Sequence, residues 1–205
     1  MKLLFIGDSF LTGYGVQEDQ SWFRLVSNES QQPLINKAID GNTTTDVLVR
    51  FHEDAINEKP DVVFIMAGTN DALNKRTANI IFNNGVEMIN ISIDNGIVPI
   101  IILQPLPYVS MANEIWGQQG ENYQDALITM KRYRRLINDY CQDENIELID
   151  LDMVIPELDT EEDASKYFKD GIHLTSCAHA LVAERFIEKF GYLLIKKSPE
   201  DYFVS

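Results

Sequence analysis

The sequence predicts an α/β protein in which a parallel β-sheet carries helices on both faces. The first observation is alternation, since five short apolar runs are each followed by a stretch whose apolar residues have helical spacing. The second is that residues 61–67 and 97–103 are apolar almost throughout, as expected of strands buried on both faces. Right-handed crossovers between parallel strands place the loops that follow the strands along one edge of the sheet.

Each predicted strand is a short apolar run, and most of these runs end in a cluster of Gly, Ser, Asn or Asp. Gly7 ends the first run, and Gly68 follows the most apolar one. The predicted strands are residues 2–6, 33–39, 61–67, 97–103 and 146–151.

The predicted helices combine apolar residues three or four positions apart with capping residues where the sequence offers them. Thr43 or Thr44 can cap the second helix, and Gly96 ends the third. The predicted helices are residues 18–30, 43–58, 78–95, 122–143 and 176–196.

Residues 105–120 are expected to form a long irregular loop that Pro105 and Pro107 open. Loops of this length inside a compact protein usually carry function or are disordered. Two aromatic residues in this stretch, Tyr108 and Trp116, are therefore candidate substrate-binding residues.

The composition limits the classes of partner and cofactor. A chain of 205 residues can form a single domain with a substantial core, and we expect one domain over 1–205 with a loose tail at 197–205. The formal net charge of −15 disfavours binding to nucleic acid or to anionic membranes. Cys141 and Cys177 suggest neither a disulfide framework nor a zinc site. We expect no metal and no organic cofactor.

The chain contains no apolar run of the roughly 18 residues that a membrane-spanning helix needs. The features of a secretory signal are also missing from its first residues. We therefore expect a cytoplasmic protein without membrane insertion. The oligomeric state stays open, a homo-oligomer included.

Polar residues with catalytic potential follow three of the predicted strands and precede the last helix. Ser9 follows the first strand, Gly41 the second and Asn70 the third. Asp170 and His173 lie just before the final helix. Because strand ends gather at one edge of a parallel sheet, these distant residues can converge.

Together these residue types can hydrolyse an ester by acyl transfer. Ser9 would be the nucleophile and His173 the base, and Asp170 is close enough in sequence to orient the imidazole. The backbone N–H groups of Ser9 and Gly41, with the side-chain amide of Asn70, are candidate donors to the oxyanion. The substrate would be a small-molecule ester.

Two acidic residues beside these segments, Asp8 and Asp71, are expected to shape the site by hydrogen bonding. Because Asp8 directly precedes Ser9, we also group it with Tyr108 and Trp116 as a candidate substrate-binding residue.

Every one of these residues also has a structural explanation, and a binding module is the main alternative. Gly41 and Asn70 are common in turns and caps. In a flavodoxin-like module, the loop of residues 9–15 would bind the phosphate of a flavin or nucleotide through backbone N–H groups. That alternative gives no reason for Asn70, Asp170 and His173 to occur together.

The ordered set of segments resembles the four blocks of the GDSL esterases and lipases, also called SGNH hydrolases. The blocks are Gly7-Asp8-Ser9, Gly41 within residues 36–43, Gly68-Thr69-Asn70-Asp71 and Asp170-Gly171-Ile172-His173. The resemblance extends from residue 3 to about residue 175. Two positions depart from the family pattern, since Phe10 replaces the leucine of the family name and Ala38 replaces a glycine of many members.

The resemblance implies a three-layer α/β/α sandwich with flavodoxin-like strand order. It also implies a Ser9, His173 and Asp170 triad, with Ser9, Gly41 and Asn70 forming the oxyanion hole. The implied substrates are acetyl and other short-chain esters, acylated carbohydrates or lysophospholipids. An acyl thioesterase and a catalytically inactive carbohydrate-binding relative remain as alternatives.

Overall fold

A computed structural model describes residues 1–117, 123–158 and 160–196 of the chain. The expected loose tail at 197–205 lies outside the described residues. Within the described part, no helix is both long and apolar enough to cross a membrane.

The fold is built on a five-stranded parallel sheet, which confirms the predicted fold class. Its strands are β1 (Leu3–Gly7), β2 (Leu34–Ala38), β3 (Val62–Met66), β4 (Val98–Leu103) and β5 (Glu147–Asp150). The spatial order is β2-β1-β3-β4-β5, which is the flavodoxin-like order. Gly7 lies opposite Ala38 of β2 and Met66 of β3, so the loops after these three strands start at the same level.

Each of the five predicted helices has a counterpart among the described residues. The helices there are α1 (Ser9–Thr12), α2 (Trp22–Glu29), α3 (Thr44–Phe51), α4 (Thr69–Leu73), α5 (Ala78–Asp94), α6 (Val109–Trp116), α7 (Gln124–Asp143), α8 (Glu161–Tyr167) and α9 (Ser176–Leu194). Of these, α1, α4, α6 and α8 were not predicted. The predicted helix 18–30 is divided, because Ser21 caps α2 and a short 3₁₀ turn, Glu18–Gln20, precedes it. The predicted helix 43–58 continues beyond α3 as a π-helical segment, His52–Ile56.

The expectation of an irregular loop at 105–120 was wrong. Pro105 and Pro107 both precede residue 108, and helix α6 begins directly after it, at Val109. Only Ala112 of this helix is fully buried. Met111, Ala112, Ile115 and Trp116 have helical spacing, but a run of eight residues is shorter than the roughly 11–18 over which such spacing indicates a helix. Residues 118–120 of that predicted loop lie outside the described residues.

Hydrophobic packing on the two faces of the sheet produces three layers. Alternate strand residues face α2 and α9 on one side, where the Phe5 and Phe64 rings stack 4.4 Å apart. The intervening residues, such as Leu4 and Ile65, pack with α3, α5 and α7 on the other side. Both faces of the central strands are therefore buried, which explains their continuous apolar sequence.

Candidate active site

Ser9 lies directly after β1, at the start of a four-residue helix. Asp8 caps that helix by accepting a hydrogen bond from the Phe10 N–H at 3.1 Å. Gly13 ends the helix in the left-handed region at φ +80°. The Ser9 side chain is held at the sheet edge with 6% of the residue exposed. Its backbone N–H donates no hydrogen bond within the described residues.

The structure brings Ser9, His173 and Asp170 into one hydrogen-bonded series. The Ser9 hydroxyl lies 3.2 Å from Nε2 of His173, and Nδ1 of the same ring lies 2.7 Å from Oδ2 of Asp170. The carboxylate fixes the proton on Nδ1, so Nε2 is left to accept from the serine. Ser9 and His173 are 164 positions apart in sequence, and only the fold makes them neighbours.

Asp170 is held ionised by its hydrogen bonds. Burial alone would raise the pKa of this carboxyl group, but the bond from the His173 ring opposes burial. The backbone N–H groups of Ile172 and His173 also donate to Asp170 Oδ1, at 2.9 and 2.7 Å. The net effect is a pKa of Asp170 below its ordinary value, so the carboxylate can stabilise a charged imidazole.

The turn that carries His173 is seated on helix α6. Gly171 has φ +82°, and a Cβ at this position would lie 2.4 Å from the Ala112 nitrogen and 2.6 Å from the Tyr108 oxygen. The Tyr108 N–H donates to the Gly171 carbonyl at 2.8 Å. Only glycine allows this close approach of the two backbones.

Gly41 lies on the loop after β2, and Asn70 lies in the first turn of α4, which follows β3. Gly41 is exposed, has φ +76°, and its N–H donates no hydrogen bond within the described residues. The Asn70 amide nitrogen lies 3.2 Å from Oδ2 of Asp8 and 3.0 Å from the carbonyl oxygen of Asn42. Asn70 therefore connects the Ser9 segment to the Gly41 segment.

Asp8 stabilises the site through buried hydrogen bonds, and its assignment as a substrate-binding residue is corrected. Its exposed fraction is 0%, so the side chain has no surface to offer a substrate. Gln104, directly after β4, donates from Nε2 to both Asp8 oxygens at 2.8 and 2.9 Å. Burial raises the pKa of Asp8 to about 7, although these bonds and the one from Phe10 oppose it.

Gln104 also anchors the segment that carries Asn70. Its Oε1 accepts from the backbone N–H of Thr69 at 2.9 Å and from the Thr69 hydroxyl at 2.8 Å. The sequence analysis missed Gln104, although its place as a polar residue directly after a buried strand was an available signal. Asp71 has the expected shaping role, since it accepts from the N–H and hydroxyl of Thr44 at 2.6 and 2.8 Å.

The two aromatic candidates for the substrate wall lie in different settings. Tyr108 stacks on Phe168 with ring centroids 6.4 Å apart and lines a cleft of about 300 Å³ beside the Asp170 turn. Trp116 lies at the end of α6 with 42% of the residue exposed. Within the described residues its ring makes no ring contact or hydrogen bond with the side chains of Ser9, Asp170 or His173.

Two aromatic rings lie beside the imidazole, the buried Phe10 and the exposed Tyr14, and sequence reasoning missed the role of Tyr14. Its ring centroid lies 4.4 Å from that of His173, and 47% of the residue is exposed. Two glycines with positive φ, Gly13 and Gly15, flank it. This flanking pattern in the first loop was the only available signal.

Metal ligands are not assembled anywhere in the described part of the chain. No group of three or more His, Cys, Asp and Glu side chains there is arranged to hold a metal ion.

A parallel α/β sandwich with a hydrogen-bonded Ser-His-Asp series at its carboxyl edge has the architecture of a serine hydrolase. The model of the GDSL-like Lipase/Acylhydrolase family matches residues 5–181. The chain belongs to this family, and the resemblance noted from its four blocks is confirmed.

Named relatives agree with the family assignment. An acetylxylan esterase from Geobacillus stearothermophilus is 25% identical over 210 residues, covering 93% of this chain and 94% of the relative. An arylesterase from Vibrio mimicus is 29% identical over 138 residues, covering 62% of this chain and 69% of the relative. The chain is a carboxylic ester hydrolase.

A solved structure shows the same fold at lower identity. A member of the lipolytic protein G-D-S-L family from Veillonella parvula DSM 2008 has a TM-score of 0.76 and 21% identity. The match covers 93% of this chain and 98% of that one.

Proposed function

We propose that the protein is a serine esterase that removes small acyl groups, such as acetyl, from acylated carbohydrates through an acyl-enzyme. One observation carries the proposal, namely the hydrogen-bonded series of Ser9 Oγ, His173 and Asp170 at 3.2 and 2.7 Å. These distances are those a nucleophile, a base and an orienting carboxylate require.

In the acylation step, Ser9 Oγ attacks the ester carbonyl carbon while Nε2 of His173 takes the hydroxyl proton. Asp170 stabilises the imidazolium that forms. The tetrahedral intermediate then collapses, the C–O bond to the alcohol breaks, and Nε2 returns the proton to the leaving oxygen. A water molecule attacks the acyl-enzyme by the same proton route and releases the acid.

Three donors would stabilise the negative oxygen of that intermediate. The backbone N–H groups of Ser9 and Gly41 have no protein acceptor within the described residues, which supports this role. The Asn70 amide carries two protons, one directed at Asp8 and one at the Asn42 carbonyl. The oxyanion would compete with the Asn42 carbonyl for the second proton.

The proposed choice of a small acyl group on a sugar rests on the relatives and on the exposed aromatic ring. The family includes the acetylxylan esterase matched over nearly the full chain. Tyr14, half-exposed and next to the His173 ring, offers a flat apolar face of the kind that carbohydrate rings pack against. A flavodoxin-like binding module would not need the imidazole.

A substrate panel with the Ser9→Ala variant tests this proposal. We expect fast release of acetate from acetylated xylo-oligosaccharides and p-nitrophenyl acetate, and slow turnover of palmitoyl esters and acyl-CoA. Loss of the nucleophile should lower kcat by roughly 10⁴-fold or more. Near-normal turnover by Ser9→Ala would refute the triad, and a preference for acyl-CoA would replace the esterase assignment by a thioesterase.

We also propose a cytoplasmic location. Its support is that Cys141 and Cys177 are both free, as is usual in a reducing compartment. Recovery of the native protein from the membrane or extracellular fraction of its host cells would overturn this assignment.

A further inference from the structure

Arg50 of helix α3 connects the ends of strands β1 and β2 to the loop that carries Gly41. Its Nε donates to Oδ1 of Asn42 at 2.8 Å, and its Nη2 donates to the carbonyl of Gly7 at 3.1 Å. Its Nη1 donates to the carbonyl of Lys37 at 2.7 Å. With the side chain only 15% exposed, the guanidinium lies largely out of solvent.

The acceptors of Arg50 adjoin the proposed oxyanion donors. Gly7 is two residues before Ser9, and Asn42 directly follows Gly41. The carbonyl of Asn42 also accepts from the Asn70 amide at 3.0 Å. One planar side chain is thus bonded to both segments whose N–H groups would face the oxyanion, and through Asn42 it reaches the third donor.

The charge of Arg50 is balanced by a carboxylate in the segment that directly follows α3. Asp54, four residues later, accepts from Nη1 at 2.7 Å. Asp54 lies in the π-helical segment His52–Ile56. Nη1 is shared between Asp54 and the Lys37 carbonyl, whereas Nε and Nη2 donate to Asn42 and Gly7, so the ion pair is separate from these last two contacts.

We propose that Arg50 is a positioning residue that sets the spacing of the Ser9 and Gly41 N–H groups in the oxyanion hole. This inference rests on the proposed function. Arg50 touches no substrate and acts through Gly7 and Asn42. A rigid fork of donors can hold the end of β1 and the loop after β2 in one geometry, whereas the single ammonium group of a lysine cannot.

If Arg50 has this role, replacing it should weaken the stabilisation of the transition state and leave substrate binding nearly unchanged. Small displacements of catalytic groups can lower rates by about 10²-fold. In Arg50→Lys, which keeps the positive charge, kcat for p-nitrophenyl acetate should fall about 10- to 100-fold while KM changes less than about twofold. The inhibition constant of phenylboronic acid, whose tetrahedral adduct with serine resembles the intermediate, should rise by the same factor as kcat falls.

The matched control is Arg185→Lys on the exposed side of α9. Arg185 forms a surface ion pair with Glu188 at 2.6 Å and contacts neither loop. We expect unchanged kcat, KM and boronic acid inhibition. If Arg50→Lys does not fold, Asn42→Ala decides the question, because it removes the Nε acceptor and leaves Arg50 in place; it should lower kcat and boronic acid affinity together.

The outcomes separate this inference from the proposed function. An active wild type, an inactive Ser9→Ala and a folded Arg50→Lys with unchanged kcat and boronic acid affinity would overturn the role of Arg50 alone. Reduced stability of Arg50→Lys with unchanged kinetics would have the same meaning. Equal activity of wild type and Ser9→Ala would refute the proposed function itself.

Discussion

At the scale of single residues, the site depends on a few polar groups whose protonation the fold controls. Asp170 keeps its charge because three hydrogen bonds outweigh its burial. Asp8 is more deeply buried and has a pKa raised to about 7. Of these two carboxyl groups, Asp170 can stabilise the imidazolium, and Asp8 holds the Asn70 amide in place.

The buried Asp8 makes the stability of the protein depend on pH. Between the ordinary pKa of 3.8 and about 7, the folded state keeps a proton on Asp8 that the unfolded chain has lost. Stability of the wild type therefore falls as pH rises through this window, and Asp8→Asn removes that contribution. The free energy of unfolding of Asp8→Asn relative to wild type should increase by about 2–3 kcal/mol from pH 5 to pH 8.

Urea unfolding of both proteins at the two pH values measures this difference. The buried Asp71 is present in both proteins, and its charge is the smallest of the named contributions to the pKa of Asp8, after burial and hydrogen bonding. A relative stability that is constant between pH 5 and pH 8 would show that Asp8 is ionised throughout this range in the folded state.

At the scale of elements, helix α6 and the turn at Gly171 position the imidazole. The backbone of the turn approaches the backbone of α6 so closely that no side chain fits at position 171. The Tyr108 N–H bond to the Gly171 carbonyl fixes the contact. A helix that the sequence does not reveal thus determines where His173 lies.

Adding one methyl group at this contact should separate the two elements. In Gly171→Ala, the Cβ would meet the backbone of Ala112 at 2.4 Å, so the turn must move. We expect kcat for p-nitrophenyl acetate to fall by about 10²-fold, since a shift of about 1 Å in a catalytic group has effects of this size.

Gly96→Ala is the matched control for that experiment. Gly96 has φ +71°, similar to Gly171, but a Cβ there meets nothing within 4 Å. Both variants should lose about 1 kcal/mol of stability from the left-handed backbone, while only Gly171→Ala should lose activity. Full activity in Gly171→Ala would show that α6 does not position the His173 turn.

The elements also show how far the sequence could be interpreted. The strands were predictable because a short run that is apolar throughout, such as residues 62–66, is typical of a strand buried on both faces of a sheet. Helix α6 was not, because its eight residues follow two prolines and are too few for their apolar spacing to indicate a helix. The roles of Gln104 and Arg50 were hidden for another reason, since each depends on partners far away in sequence, such as Asp8 and Gly7.

At the scale of the whole molecule, the strand order creates the site. The chain first goes from β1 to β2 at one edge of the sheet. It then crosses over β1 to β3 and continues to β4 and β5 in the opposite direction. A crevice opens at such a switch point, at the carboxyl ends of the strands. Ser9, Gly41 and Asn70 lie shortly after the three strands that border this crevice. The turn that precedes α9 brings His173 to within 3.2 Å of Ser9.

The candidate triad was accessible from sequence because its segments are short, ordered and tied to strand ends. The strand order fixes which loops meet, whereas the distances within the site depend on supporting contacts. Such contacts include the close packing of Gly171 against α6 and the hydrogen bonds of Arg50 and Gln104.

The central claim is that Ser9 is a nucleophile that His173 activates. Its most direct measurement is the site and rate of labelling by diisopropyl fluorophosphate, followed by intact mass and peptide mapping. We predict one adduct per chain, located on Ser9, absent from Ser9→Ala and formed far more slowly in His173→Ala. A label on any other residue, or equal labelling rates in wild type and His173→Ala, would contradict the claim.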